Sequence, residues 1–295
     1  MSEIFGIPTQ AFMGQLLIGL INGSFYALLS LGLAVIFGLL NIINFTHGAQ
    51  YMMGAFVAYF LLQWVGLGYW WALLVAPLVV GMIGVVLERT MLKRLYALDH
   101  LYGLLLTFGL ALVIQGLFRN QFGSSGLPYG MPPQLVGTYN LGFMFLPVYR
   151  AWVVVFSLVV CLATWFVIER TRLGAYLRAA TENPTLVQAF GINVPRMITL
   201  TYGFGVALAA LAGVLAAPIY QVNPLMGANM IIVVFAVVVI GGMGSIMGSI
   251  VTGFGLGVIE GLTKVFYPEA SNTVIFIIMA IVLLIRPAGL FGAQK

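Results

Sequence analysis

The sequence carries very little charge, and this scarcity is its most informative feature. Only 6% of the residues are Asp, Glu, Lys or Arg, whereas 62% are hydrophobic, and the mean hydropathy of +1.11 is hard to reconcile with a water-soluble core. Histidine and cysteine are also scarce, so the chain offers too few ligands for a metal centre. The single cysteine, Cys161, excludes a disulfide within the chain, and its position in an apolar run predicts a buried free thiol.

Long apolar segments fill most of the chain. A helix needs about 20 apolar residues to cross a bilayer, whereas a membrane β-barrel would show alternating segments of about 10 residues. We therefore predict an all-α, polytopic membrane helical bundle that forms a single domain over residues 1–295. The predicted spans lie within residues 11–40, 48–66, 69–88, 101–118, 150–168, 197–220, 229–246, 248–266 and 273–286.

The first apolar segment makes the number of spans ambiguous, because it is long for one span and short for two. The stretch Asn22-Gly23-Ser24 near its middle predicts a bent or broken helix. The predicted count is therefore eight to ten spans, with nine preferred. Residues 1–10 contain Glu3 and no Lys or Arg, so we interpret the segment as a span and not as a cleavable signal.

The basic residues are concentrated in two stretches, 88–100 and 169–196, which hold seven of the 12 Lys and Arg residues. Because Lys and Arg are retained on the cytoplasmic side of membrane spans, both stretches and the C-terminus are predicted to be cytoplasmic. The same retention explains the net charge of +5 without a nucleic-acid partner. The N-terminus is then predicted to lie outside, together with an outer loop at residues 119–149.

Two breaks interrupt the apolar segments, one polar at residues 41–48 and one glycine-rich at residues 241–244. Corresponding breaks in two halves indicate inverted repeats with broken helices and a transport pathway near the membrane centre. Tight packing of small residues such as Gly253, Gly255 and Gly257 explains the same pattern, so both alternatives stay open. The candidate pathway residues are Asn41, Asn44, His47, Gln50, Gly241, Gly242 and Gly244.

Two roles are open for His47 at the first break. In one it lines the pathway, and in the other it satisfies backbone carbonyl groups that the break leaves free. The glycine-rich run 241–248 is not a phosphate-binding loop, because it lacks the Gly-Lys-Ser/Thr ending that binds phosphate and magnesium. If ATP powers transport, another polypeptide must bind it.

A short, well-capped helix is predicted within the second basic stretch. Its N-cap, first helical position and left-handed stop are predicted to be Asn183, Pro184 and Gly191. Residues three and four apart share one face of a helix, which predicts an apolar face formed by Leu186, Val187 and Phe190. That face either packs onto the protein's own helices or docks into a groove of a partner.

Four stretches of the sequence resemble those of a known family. Each stretch alone is a weak signal, but the four together are specific. They are Asn22-Gly23-Ser24-Phe25-Tyr26-Ala27-Leu28, Ile43-Asn44-Phe45-Thr46-His47-Gly48, the loop from Thr171 to Asn193, and Phe235-Ala236-Val237-Val238-Val239-Ile240-Gly241-Gly242-Met243-Gly244-Ser245. With these stretches, almost the whole chain resembles the LivH-type permeases of ATP-binding-cassette (ABC) importers for branched-chain amino acids.

The resemblance implies a permease subunit in a bacterial-type plasma (inner) membrane, with no cofactor of its own and with ATP bound by separate ATPase subunits. It also implies a periplasmic or extracellular binding protein and a second permease, either LivM-like or a copy of this chain. Residues 169–196 resemble the coupling loop of the family, which implies ATPase-coupling roles for Arg178, Ala180, Glu182, Asn183, Pro184, Leu186, Val187, Phe190 and Gly191. Hydrophobic amino acids are the implied cargo, and urea or amides are the alternative.

Two further classes of function have weaker support in the sequence. An ion-coupled secondary transporter would place a titratable group near the membrane centre, and the only candidates are Glu260 and His47. Glu260 and Lys264 are four residues apart and are predicted to neutralise each other. The stretch Gly123-Ser124-Ser125-Gly126 superficially matches an intramembrane serine protease, but it lies in the predicted outer loop and no base follows it. The chain is therefore not expected to be an enzyme.

Overall fold

Eleven α-helices and four short strands make up the part of the chain that the structure describes. This computed structural model describes residues 3–4, 6–40, 43–96, 98–142 and 144–292. The helices are α1 (Thr9–Leu40), α2 (Thr46–Phe60), α3 (Tyr69–Thr90), α4 (His100–Phe122), α5 (Val148–Arg170), α6 (Arg172–Glu182), α7 (Pro184–Ala189), α8 (Val194–Tyr220), α9 (Met226–Gly241), α10 (Ile246–Phe266) and α11 (Val274–Ile285). The strands form two antiparallel hairpins, β1 (Glu3–Ile4) with β2 (Ile7–Pro8) and β3 (Thr138–Asn140) with β4 (Phe145–Pro147).

Every predicted apolar segment contains a helix. Six of these helices are long and apolar enough to cross a membrane, namely α1, α3, α4, α5, α8 and α10. Of the others, α2 is extended by a π-helical turn at Leu61–Val65, and α9 and α11 are shorter apolar helices. The all-α membrane bundle is therefore confirmed, whereas the predicted number of eight to ten spans is not confirmed by helix length.

The first helix, α1, runs without interruption through Asn22-Gly23-Ser24, so of the bent or broken helix predicted there the break is wrong. Glycine serves a different purpose at this point. A Cβ atom on Gly23 would lie 2.9 Å from the carbonyl oxygen of Phe254 in α10, and one on Gly19 would lie 2.5 Å from that of Gly257. The small residues of α1 therefore allow close contact with α10, and backbone hydrogen bonding within the helix is preserved.

The centre of the bundle is formed by α1 and α8, and α4 lies at its edge. Phe25 and Leu28 of α1 and Val206 of α8 have no exposed surface. In α4, by contrast, only Gly103 and Thr107 are buried, and much of its apolar surface faces outward. An outward-facing apolar surface is stable in lipid, because the acyl chains are as apolar as the side chains themselves.

The two ends of the bundle differ in the chain segments that form them. At one end Thr199 and Tyr96 both donate hydrogen bonds of 2.7 Å to the buried carboxylate of Glu88, which joins the end of α3 to the start of α8. Burial, together with the hydrogen bond to Glu88, raises the pKa of the Tyr96 hydroxyl, which keeps it protonated and able to donate. Residues 88–96 and 169–199 define this charged end.

The opposite end is formed by the connection between α4 and α5 and is called the loop end here. Leu127 pairs with Val222 through two backbone hydrogen bonds, and Trp70 donates a hydrogen bond of 3.2 Å to Gln134. Because α5 runs from this connection to Arg170, the two basic stretches lie at one end of the bundle and the connection 119–149 lies at the other.

Candidate functional site

The first break brings the start of α2 beside the middle of α1. The Nε2 atom of His47 lies 3.0 Å from the carbonyl oxygen of Leu29, and a Cβ atom on Gly32 would lie 3.0 Å from the imidazole. Gly32 precedes the end of α1 at Leu40 by eight residues, or about 12 Å of helix. The α2 helix therefore begins inside the bundle and not at its surface.

The start of α9 meets the start of α2 at the same depth. A Cβ atom on Gly48 would lie 2.6 Å from the carbonyl oxygen of Gly227, and one on Gly227 would overlap the backbone of Gly48. From this contact α2 runs to the loop end, where Phe60 packs against Phe122, and α9 runs to the charged end. Two helix N-termini, each with a partial positive charge, thus lie next to each other in the interior.

Buried polar side chains surround the start of α2. Asn44 donates a hydrogen bond of 3.2 Å to Gln50, and Tyr202 of α8, which is also buried, lies beside both amides. Within the described residues, Asn44 Oδ1, His47 Nδ1 and Gln50 Nε2 are buried without a hydrogen-bond partner. A buried polar atom without a partner costs about 1–3 kcal/mol, so this cluster is unusual in an apolar bundle.

The first break is held in place by Thr107 of α4. Its hydroxyl accepts a hydrogen bond from the backbone N–H of Phe45 and lies 3.1 Å from the carbonyl oxygen of Ile43. Thr46 donates in turn to the carbonyl oxygen of Thr107 at 3.0 Å. Thr107 and Tyr202 were not among the residues predicted from the sequence, since single hydroxyl groups in apolar runs give no signal of what they contact.

The structure brings together only some of the predicted pathway residues. Asn44, His47 and Gln50 form the interior cluster, and Asn41 lies outside the described residues. His47 does contact a backbone carbonyl group, but this group belongs to the interior of α1 and not to the break. The predicted glycines lie elsewhere, at the charged end, in the second break: Gly241, Gly242 and Gly244.

A largely apolar cavity of ≈ 210 Å³ lies where α2, α4 and α9 meet. Phe45, Phe108 and Ile231 line it, together with the backbone of Gly48 and Gly227, and Gln115 contributes the one amide side chain of the lining. The Phe45 ring lies 6.0 Å from that of Phe108. The cavity therefore combines apolar walls with the two helix N-termini.

The predicted short helix at the charged end is confirmed as α7. Asn183 caps it by accepting a hydrogen bond of 2.9 Å from the backbone N–H of Leu186, and Pro184 occupies the first position. Gly191, just beyond its end, has the left-handed φ of +83° that glycine adopts most readily.

The apolar face predicted for this helix is only partly correct. Val187 is buried and packs with Ala180 and Val194, whereas Leu186 is 54% exposed and Phe190 is 78% exposed. Val187 turns inward because α6 and the start of α8 cover that side of α7. One residue thus packs onto the protein itself, as the first alternative predicts, whereas Leu186 and Phe190 stay uncovered in this chain and docking into a partner remains a prediction.

Residues of α6 attach this segment to the end of α5. Arg178 donates a hydrogen bond of 2.9 Å to the carbonyl oxygen of Ile168 and forms an ion pair of 3.4 Å with Glu169. Gly174 also contacts Ile168 so closely that a Cβ atom there would overlap its carbonyl group. The predicted residue Glu182 is exposed at the end of α6 and forms no ion pair among the described residues.

Comparisons with known proteins agree over nearly the whole chain. The family model described as "Branched-chain amino acid transport system / permease component" matches residues 15–283. The chain is 31% identical to the branched-chain amino acid permease protein LivH of Escherichia coli K12, over 96% of both chains. It is also 31% identical to BraD of Pseudomonas aeruginosa, over 96% of this chain and 97% of BraD.

A more distant relative is the permease protein LivM of Escherichia coli K12, which is 29% identical over 92% of this chain and 68% of LivM. No solved structure shows a significant match to the chain. The region that the family model matches, residues 15–283, includes both helix breaks and the segment from α6 to α8.

Proposed function

Because the chain belongs to the LivH-type family of branched-chain amino acid permeases, we propose that it forms, with a second permease, the membrane pathway of an ABC importer for hydrophobic amino acids. The observation that carries this proposal is the family match over residues 15–283, which extends from α1 into α11. The permease works with ATPase subunits that bind ATP and with a binding protein that delivers the substrate outside the cell.

The cargo assignment is supported by the names of the relatives and by the apolar cavity beside the starts of α2 and α9. LivH and BraD are named for branched-chain amino acids. The apolar walls at Phe45, Phe108 and Ile231 fit a branched aliphatic side chain, and the adjacent N-termini of α2 and α9 attract a carboxylate group. Urea and simple amides have neither of these groups, which favours an amino acid.

The orientation follows from the basic residues of the charged end. Retention of Lys and Arg puts this end in the cytoplasm, the N-terminus outside and the C-terminus inside. The ATPase then meets the segment from α6 to α8, and the exposed side chains of Leu186 and Phe190 insert into its groove. Movement of the ATPase is transmitted through Arg178 to the end of α5.

The two halves of the chain are internal repeats, α1–α4 and α8–α11, in which the break before α2 corresponds to residues 221–225 before α9 and not, as predicted from the sequence, to the glycine break 241–244. Reciprocal contacts support this proposal. A Cβ atom on Gly32 of α1 would lie 2.7 Å from the carbonyl oxygen of Gly205 in α8, and the reverse distance is also 2.7 Å. Gly48 of α2 and Gly227 of α9 meet each other in the same reciprocal way. A local two-fold axis through both contacts accounts for them.

Transport in proteoliposomes tests the proposed function. The chain is purified together with its second permease and ATPase subunits, and uptake of radiolabelled leucine is measured with the binding protein outside and ATP inside. We expect leucine uptake to require both ATP and the binding protein. Uptake that is driven by a proton or sodium gradient without ATP would contradict the proposal, as would uptake of urea with no uptake of leucine.

A further inference from the structure

A buried carboxylate lies apart from the interior cluster and from the coupling segment. Glu260 of α10 is only 6% exposed, and its two oxygens contact different partners. The Tyr26 hydroxyl of α1 donates a hydrogen bond of 2.6 Å to one oxygen, and Lys264 forms an ion pair with the other. The neutralisation of Glu260 by Lys264 that the sequence predicted is thus present, with Tyr26 as an additional partner.

Glu260 faces a cavity of ≈ 320 Å³ between α1, α9, α10 and the segment that leads into α11. Besides Glu260 and Tyr26, its polar lining consists of Asn229, Ser271 and Asn272. Asn229 lies in the first turn of α9 and is exposed, although α9 begins inside the bundle. An exposed amide at that depth is costly in lipid, and polar side chains in membrane helices normally face a cavity that contains water.

The position of the cavity connects the loop end with the interior. Glu260 precedes the end of α10 at Phe266 by six residues, or about 9 Å of helix. Ser271 and Asn272 lie beyond that end, whereas Ala228 of α9 lines both this cavity and the apolar cavity beside Gly48. A solute that entered from the loop end would therefore meet Glu260 before it reached the starts of α2 and α9.

We propose that this cavity is an entry subsite in which Glu260 accepts the α-ammonium group of the amino-acid substrate. The inference rests on the proposed function and adds a recognition residue to it. A zwitterion carries one positive and one negative group, and the Glu260–Lys264 pair offers the complementary arrangement. When the substrate ammonium replaces Lys264 beside Glu260, the partly exposed Lys264 pairs with the substrate carboxylate, so that no charge is left alone in the membrane.

Protection of an introduced thiol tests this assignment. Asn229→Cys in a Cys161→Ala background provides a thiol in the cavity, and its labelling by a small methanethiosulfonate reagent is measured in the purified permease pair. Three competitors separate the groups of the substrate: leucine has both charges, leucinol has only the ammonium, and 4-methylpentanoate has only the carboxylate. We expect leucine to slow labelling about 5-fold or more and leucinol to slow it less, because Lys264 is then left without a carboxylate partner, whereas 4-methylpentanoate and urea should have little effect.

Two variants of the cavity separate recognition from structural support. Glu260→Gln should abolish the protection by leucine and leucinol, because the amide lacks the negative charge. Tyr26→Phe removes a hydrogen bond to the same carboxylate but keeps its charge, so protection should persist. Equal protection by all competitors, no protection by leucine, or protection that survives in Glu260→Gln would overturn the proposal. Ile232→Cys, on the same wall, repeats the test if Asn229→Cys is not assembled.

Failure of this subsite can be distinguished from failure of the proposed function. The wild-type complex is assayed in parallel for ATP-dependent leucine uptake. Normal uptake without ammonium-dependent protection would reject Glu260 as the recognition residue and leave the importer function intact. Absence of uptake would contradict the importer function, whereas the protection pattern decides the role of Glu260 independently.

Discussion

The two helix breaks differ in what fills them. At the break before α2, side chains occupy the space: Thr107 bonds the free backbone, and Asn44, His47 and Gln50 pack around the helix start. At the break after α9, backbone groups provide most of the partners, and Ser245 caps the start of α10 by accepting a hydrogen bond from the backbone N–H of Gly248. The N–H groups of Leu290 and Phe291 donate to the carbonyl oxygens of Ile240 and Gly241, which are free because α9 ends there.

The depth at which each break lies in the bundle explains this difference. The first break lies inside the bundle, where each freed backbone group needs a partner and polar side chains provide one. The second break lies at the charged end, where another chain segment can approach closely because glycine has no side chain. Gly242 has a φ of +102°, and a Cβ atom there would lie 2.5 Å from the backbone nitrogen of Gly292. A polar break is thus suited to a pathway, and a glycine break to packing.

The largest effect is expected at the contact between the two helix starts. Gly227→Val would place a side chain into the backbone of Gly48, which is itself buried at the start of α2. Overpacking costs about 1–3 kcal/mol, and we expect the free energy of unfolding to fall by the upper end of this range or more. We also expect this variant of the permease not to assemble. Thermal unfolding in detergent, followed by size-exclusion chromatography, measures both effects.

The matched control for this substitution is Gly255→Val in α10, because a Cβ atom there would meet no atom within 4 Å. It should unfold at the wild-type temperature. Similar behaviour of Gly227→Val and Gly255→Val would show that the contact between α2 and α9 is not close in the folded protein.

A smaller loss is expected at the second break. Gly242→Val introduces a side chain against Gly289 and Gly292 and forces a residue with a Cβ atom into a φ of +102°. The segment that follows α11 can shift outward, so we expect the free energy of unfolding to fall by about 1–3 kcal/mol and the protein still to insert into the membrane. Gly109→Val, at an open position of α4, serves as the control in the same unfolding assay.

Thr107→Val tests whether side chains sustain the first break. The substitution preserves shape but removes the hydroxyl from the N–H of Phe45, which then remains buried without that partner, at a cost of about 1–3 kcal/mol. The loss in free energy of unfolding should be near the lower end of that range, because other contacts of the break remain. Thr263→Val is the control, since the Thr263 hydroxyl bonds only to Ile259 of its own helix.

A second readout makes the Thr107 prediction specific to the pathway. Leucine uptake should fall more than the amount of assembled protein, because the start of α2 loses its fixed position. If uptake per assembled complex stayed at the wild-type value, Thr107 would have only a structural role.

The smallest effect on stability is expected just after α7, outside both breaks. Phe190→Asp changes an exposed side chain, so the free energy of unfolding should change by no more than about 0.5 kcal/mol. Association with the ATPase should nevertheless be lost, because a buried carboxylate without a partner opposes docking. Copurification of the ATPase and leucine uptake measure the change.

The control for Phe190→Asp is Gln188→Asp, which adds the same charge to an exposed polar position within α7, just before Phe190. It should retain the ATPase. If Phe190→Asp copurified with the ATPase and transported normally, α7 would not be the coupling element.

The sequence by itself determined the class of the protein and the position of all its described helices except α6, Arg172–Glu182, which was not predicted. Hydropathy and charge are read residue by residue, and they located all nine apolar helices as well as α7 with its cap at Asn183 and its stop at Gly191. The family resemblance rested on short motifs in α1, at the two breaks and in the loop from Thr171 to Asn193, and the comparisons confirmed it. These features depend on local sequence, so a single chain is sufficient to predict them.

Only the tertiary structure decided which residues meet. It kept α1 continuous through Asn22-Gly23-Ser24, turned Val187 inward, and brought Thr107 and Tyr202 to the polar break. It also separated the two breaks into an interior cluster and a packed end. Each outcome depends on contacts between segments that are distant in sequence, where the depth of a helix start and the space beside a glycine determine what a side chain can reach.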